Sequence, residues 1–222
     1  MNPQRASIAS MLLSLVTFAA LAAVALCGCG DGNNGYFPEA PVSSAEAPMS
    51  HAVRVVWADG QTDYPGWCEG HVPTWFRCVN GQPCKPRILD AVRAWLAPFD
   101  VTVSDEQVVE APLVTVLVSS GLAEECGRAT GLRGQAMIGA PAAGSWINIW
   151  SAGNADAWDA QAIAHELGHA VGGLKHTHDG SLMDSAQGEL EPVGYDAMMR
   201  PTEEGAMQSA YAGMLLTLGG VR

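Results

Sequence analysis

HELGHAVGGLKHTHDGSLMD, residues 165–184, decides the fold: what matters is how it sits on a helix and where it leaves that helix. The apolar Ile163 and Ala164 precede it, and Asn154 and Asp156 are placed to cap a helix N-terminus. The chain therefore reads as helical to about Val171, where Gly172 and Gly173 stop it. On such a helix His165 and His169 lie on one face, with Cβ atoms about 5–6 Å apart. Two imidazoles so placed can both reach one zinc ion at roughly 2.0–2.1 Å. Glu166 follows the first histidine directly and points beside the metal, where it can take a proton from water and pass it to a leaving amine. A single histidine on an apolar helix is usually structural, but two flanking a glutamate are hard to explain that way.

Working outward, residues 52–57 (AVRVVW) read as a strand, and residues 62–86 as an irregular loop rich in Pro, Gly and Cys. Ile88, Leu89, Val92, Trp95 and Leu96 fall at helical spacing, and Pro98 closes that helix. Residues 101–104 form a short strand and 113–119 (LVTVLVS) a longer buried one. Residues 135–139 and 146–150 (WINIW) continue the pattern, with Trp146, Asn148 and Trp150 on one face and Ile147 and Ile149 on the other. A final apolar helix is predicted from about Glu204 to Leu218. The order of elements is that of one α+β domain over residues 51–222.

The N-terminal residues read differently. One positive charge at Arg5 is followed by an almost wholly apolar run from Ile8 to Leu26, as in a secretory signal. Leu26-Cys27-Gly28-Cys29 resembles a bacterial lipobox, which implies cleavage after residue 28 and acylation of Cys29; the alternative is a plain anchor helix. Gly30 after that cysteine, in place of aspartate, favours the outer membrane by the same resemblance. Residues 29–50, rich in Gly, Pro, Ser and Ala, form a flexible tether. Export suits the four remaining cysteines, Cys68, Cys78, Cys84 and Cys126, which are expected to form two disulfides in one of three pairings. They lack the close Cys-x-x-Cys pairs of a four-cysteine zinc site. A formal charge of -12 excludes nucleic acid as a natural partner. The expected partners are a peptide or protein substrate and a membrane reached through lipid, with the chain a monomer.

The 165–184 run resembles the metzincin zinc metallopeptidases, especially the matrixin branch, whose pattern is HExxHxxGxxH followed by a methionine turn. The resemblance covers about twenty residues. It implies a zincin-like α+β domain, with a mixed twisted sheet, an active-site helix, a methionine turn at Met183 and a C-terminal helix. It also implies bound Zn2+, with Glu166 as the general base of peptide hydrolysis. One departure matters. Counted from Gly172, the place of the third histidine holds Lys175, whose ammonium would repel a metal and should face solvent. A turn at Gly173 instead restores the glycine-to-histidine interval and makes His176 the third ligand, with one residue fewer before Met183. His178 is the alternative and Asp179 a further one, since some relatives use aspartate.

Two rival functions follow from the same residues. A gluzincin would take Glu189 or Glu191 as third ligand, against which the Met183 turn and nearby histidines argue. A non-catalytic metzincin-like surface lipoprotein would bind protein or cell-wall ligand, although Glu166 is retained. His51 and His71 read as surface residues. The tryptophans of WINIW read as packing, while the strand itself is a candidate platform for main-chain recognition of a peptide.

Overall fold

The computed structural model describes residues 51–220, apart from 65–66, 69–70, 79–82, 107–111, 130, 140–143, 152–155 and 186–193. The signal, the tether, Cys27 and Cys29 lie outside the described residues, as do Asn154 and the rival ligands Glu189 and Glu191.

Valine in β1 and β3 and isoleucine in β5 supply the apolar content of a five-stranded sheet of order β2 (Thr102–Ser104), β1 (Ala52–Trp57), β3 (Val114–Ser119), β5 (Ser145–Trp150), β4 (Gly134–Gln135). The first four strands run parallel and β4 antiparallel, so the sheet is mixed but mostly parallel. Every residue of β3 is buried, as a central parallel strand covered on both faces requires. Its register pairs Val116 with Val55 on one side and Ile147 on the other, putting these three on one face. That face carries the main core, against α1 (Lys85–Leu96) and α2 (Asp156–Gly172).

The opposite face is closed by loops. Leu117 and Trp150 pack there with Ala58, Trp67, Ala123 and Leu132, the Trp67 and Trp150 rings lying 5.7 Å apart. The Cys68–Cys126 disulfide joins the two covering segments, and Cys78–Cys84 closes a short loop immediately before α1. Trp146 packs beside the same cluster, so the indoles of WINIW are packing groups. At Asn148 and Ile149 their strand is paired on both sides and is not a free platform. Strand β5 is bonded to β3 along its whole length and to β4 at Asn148 and Ile149. On that side the sheet edge is β4, which is shorter than the sequence suggests. After Gln135 the chain leaves the sheet, and the Gly139 N–H reaches the His169 carbonyl at 3.5 Å.

The last helix also starts later than its apolar content predicts. Strands β6 (Met199–Pro201) and β7 (Met207–Ser209) form a hairpin, and α3 runs only over Ala210–Leu218. Gly205 has φ +83°, which helix interiors exclude, and Thr202 and Ala206 close the turn around it. The Ser209 side chain then caps α3 by accepting from the Ala212 N–H. Helix α3 lies against α2, burying Met214 and Leu218, and Tyr195 donates to the Ala164 carbonyl one residue before His165.

At the N-terminal end of α2 the Asp159 carboxylate accepts from Ser151 Oγ at 2.8 Å, where β5 ends. Burial raises its pKa to about 6, and the nearby Asp156 adds to the rise. A carboxyl raised in the folded state binds its proton more tightly there than when unfolded. Stability is therefore lost as pH rises through the window from about 4 to about 6. Asp159→Asn keeps an acceptor for Ser151 and removes the buried charge. It is expected to stabilise the protein at pH 8 by roughly 2 kcal/mol, after some loss of charge–dipole attraction in the first helical turn, and hardly at all at pH 3.5. Urea titrations at both pH values measure this difference.

Candidate metal centre

Helix α2 continues through Gly172 and breaks at Gly173, whose φ of +61° is left-handed. The Gly173 and Leu174 N–H groups donate back to the His169 and Gly168 carbonyls, at 3.2 and 3.1 Å. This is a glycine C-cap, and it reverses the chain so that the following residues return along the helix. The extra residue at the helix end accounts for Lys175 standing where spacing from Gly172 expects a histidine. The Lys175 side chain is partly exposed and pairs with Glu204.

The reversal brings His176 to the two helical histidines. His169 Nε2 lies 3.0 Å from His165 Nε2 and 3.0 Å from His176 Nε2. All three residues are buried, at 0, 3 and 7% exposure for His165, His169 and His176. Two returning carbonyls fix ring orientation: Leu182 O accepts from His165 Nδ1 at 2.7 Å, and Leu174 O accepts from His169 Nδ1 at 2.6 Å. A carbonyl can only accept, so in these two rings the proton resides on Nδ1 and Nε2 is left as a lone pair.

Burial holds His165 well below the usual histidine pKa, and the positive charge His169 would carry adds to the effect. Burial likewise lowers His169 to about 4, against the opposing pull of the Leu174 carbonyl. Both rings are therefore neutral at physiological pH and able to act as ligands. With both Nδ1 atoms protonated, the His165 and His169 Nε2 atoms 3.0 Å apart present acceptors to each other, an arrangement that suits a shared cation. His165, His169 and His176 form a buried group that could hold a metal ion. The Leu182 and Leu174 carbonyls behind two of the rings are of the kind that orients imidazole ligands.

The remaining candidates stand elsewhere. His178 is largely exposed, its ring nitrogens 3.3 Å from Glu203 and 3.3 Å from Ser185 Oγ. Asp179 is engaged by Arg200 at 2.6 Å and by Thr177 Oγ1 at 2.9 Å. Neither joins the histidine cluster among the described residues.

Met183 is buried against α2 at Gly168, within a turn in which the Asp184 N–H donates to Ser181 O. The turn is tied to the third histidine's neighbour: Thr177 N–H donates to Met183 O at 2.9 Å. Glu166 is 1% exposed and lies against β4. A Cβ at Gly134 would stand 2.5 Å from Glu166 Cγ and Oε1, so only glycine admits the carboxylate there. Gly168 plays the matching part for Met183, since a Cβ there would lie 2.5 Å from its sulfur. Sequence reasoning missed both steric roles. Gly168 stood in plain view inside HELGH, but the side chain it accommodates lies fifteen residues ahead and is found only by folding the chain back.

No protein-family model and no curated protein matches this chain.

Gly168→Ala sets two effects against each other. Alanine gains about 1 kcal/mol of helix propensity, while displacing Met183 from a packed site costs about 1–3 kcal/mol. The expected net result is a protein less stable by roughly 1 kcal/mol, read from the urea midpoint at unchanged m-value. Unchanged or increased stability would mean that Met183 does not abut the helix at this point.

Proposed function

We propose that this chain is a zinc-dependent endopeptidase of the metzincin type, exported and held at the cell envelope through an acylated Cys29. The observation that carries the reading is the convergence of the His165, His169 and His176 Nε2 atoms on one face of α2 and its return segment, with Glu166 next to the first of them. The left-handed break at Gly173 and buried Met183 support kinship with the metzincins, because they supply the chain reversal and methionine floor that the motif implies. Two disulfides support export to an oxidising compartment.

Three imidazole ligands leave at least one coordination position for reactants, as catalytic rather than closed structural sites do. When bound, zinc supplies Lewis acidity that brings a water's pKa towards ~7 and polarises a carbonyl. Glu166 contributes the proton transfers. Its carboxylate takes a proton from the attacking water and then delivers it to the departing amine, so that one group acts as base and acid in turn. The backbone of Gly134 fixes where that carboxylate sits. The sheet edge at β4 runs beside it and is followed by the exposed Met137 and Ile138, so an extended peptide can add to this edge with apolar side chains against these two residues.

Glu166→Gln tests the proposal directly. The expected outcome is a fall in peptide hydrolysis of roughly 10²–10⁴-fold with full retention of metal. Gly134→Ala, which pushes the carboxylate aside, is expected to lower kcat more than it changes metal content. Wild-type activity in Glu166→Gln would contradict the role given to this glutamate. A metal-loaded wild type that cleaves no peptide in a broad screen would favour a binding module instead.

A further inference from the structure

Residues 174–177 carry the third histidine, yet they belong to no helix or named strand, Thr177 alone forming isolated bridges to Asp184 and Thr202. Each backbone group that fixes them has to be supplied from outside. Leu174 N–H donates to Gly168 O, and Leu174 O accepts from the His169 ring. His176 O accepts from Glu203 N–H at 3.0 Å, and Thr177 N–H donates to Met183 O. Lys175 differs from its neighbours in that both its groups are taken by one side chain. Gln208 Oε1 accepts from Lys175 N–H at 2.9 Å, and Gln208 Nε2 donates to Lys175 O at 2.6 Å.

The N–H of Lys175 belongs to the peptide plane shared with Leu174, and its carbonyl to the plane shared with His176. Holding both planes with one rigid carboxamide fixes the backbone torsions of Lys175, and so the direction in which the chain enters His176. The first plane also carries the Leu174 carbonyl that orients His169. Gln208 is itself well anchored. It sits in β7 opposite Arg200, and the two side chains face the ligand segment, Arg200 reaching Asp179. Met199 and Met207, on the alternate positions, are exposed.

We propose that Gln208 is a positioning residue for the metal centre, acting through the Lys175 backbone to aim His176. The inference rests on the metal-binding reading above. The two-point contact demands a donor and an acceptor at one reach. Glutamate would set a carboxylate oxygen against the Lys175 carbonyl, and asparagine falls short by a methylene. The β6–β7 hairpin thus does what a helix cannot do for a ligand displaced one residue from the usual spacing.

The test is a double-mutant cycle on zinc affinity, using the full chain and Gln208→Met, which keeps volume but has neither amide group. In the otherwise wild-type chain, Gln208→Met is expected to weaken zinc binding by roughly 10–100-fold. In the His176→Ala background the same change is expected to matter less than about twofold, because the ligand it aims is gone. The absorption spectrum of the cobalt-loaded chain should shift with Gln208→Met towards that of His176→Ala. Equal losses in both backgrounds would mean that Gln208 acts only on general stability and would overturn the proposal. Unaltered affinity in a folded Gln208→Met chain would overturn it while leaving the metal centre intact. A folded wild type that binds no metal would overturn both.

Discussion

Three buried imidazoles are brought together with their Nε2 atoms within hydrogen-bond distance of the central one, and the surrounding fold imposes that arrangement. Helix α2 fixes two of the rings by its own periodicity. The third depends on a single backbone event, the left-handed turn at Gly173, which sends the chain back over the helix it has just left. Once reversed, the chain supplies the Leu174 and Leu182 carbonyls to the Nδ1 atoms, fixing tautomer and ring direction together. The reversal, the orientation of two rings and the arrival of His176 thus all begin from one torsion.

The rest of the molecule supports that reversal from both sides. The buried strands β3 and β5, with α1, hold α2 rigidly against the sheet, so its histidines start from a fixed reference. From the other side the β6–β7 hairpin and Met183 turn bracket the return segment through Glu203, Thr177 and Gln208. Two glycines without side-chain chemistry matter as much as the ligands. Gly134 makes room for the Glu166 carboxylate and Gly168 for the Met183 sulfur.

Much of this was legible in the residues. Strand β1 and helix α1 follow from periodic burial, while β3 follows from its largely apolar run and α2 from the glycines that stop it. The turn at Gly173 follows from the count between glycine and His176. What escaped detection shares one physical cause: it depends on contacts distant in sequence. Residues 204–209 of the hairpin read as the start of an apolar helix, since Met207 and the alanines around it suit either state, and the turn at Gly205 decides. Strand β4 ends at Gln135 as the chain turns towards α2, where the Gly139 N–H lies 3.5 Å from the His169 carbonyl. That β5 is an interior strand depends on which neighbours it finds, and WINIW itself carries no mark of it. The pairing of the cysteines was open for the same reason.

The central claim is that the turn at Gly173 delivers His176, and not His178, to a metal held by His165 and His169. The most direct measurement is metal stoichiometry and affinity on the full chain, comparing wild type with His176→Ala and His178→Ala. The account predicts one zinc per chain in the wild type, much weakened in His176→Ala and unchanged in His178→Ala. Loss confined to His178→Ala, or a folded wild type that takes up no zinc when zinc is supplied, would contradict it.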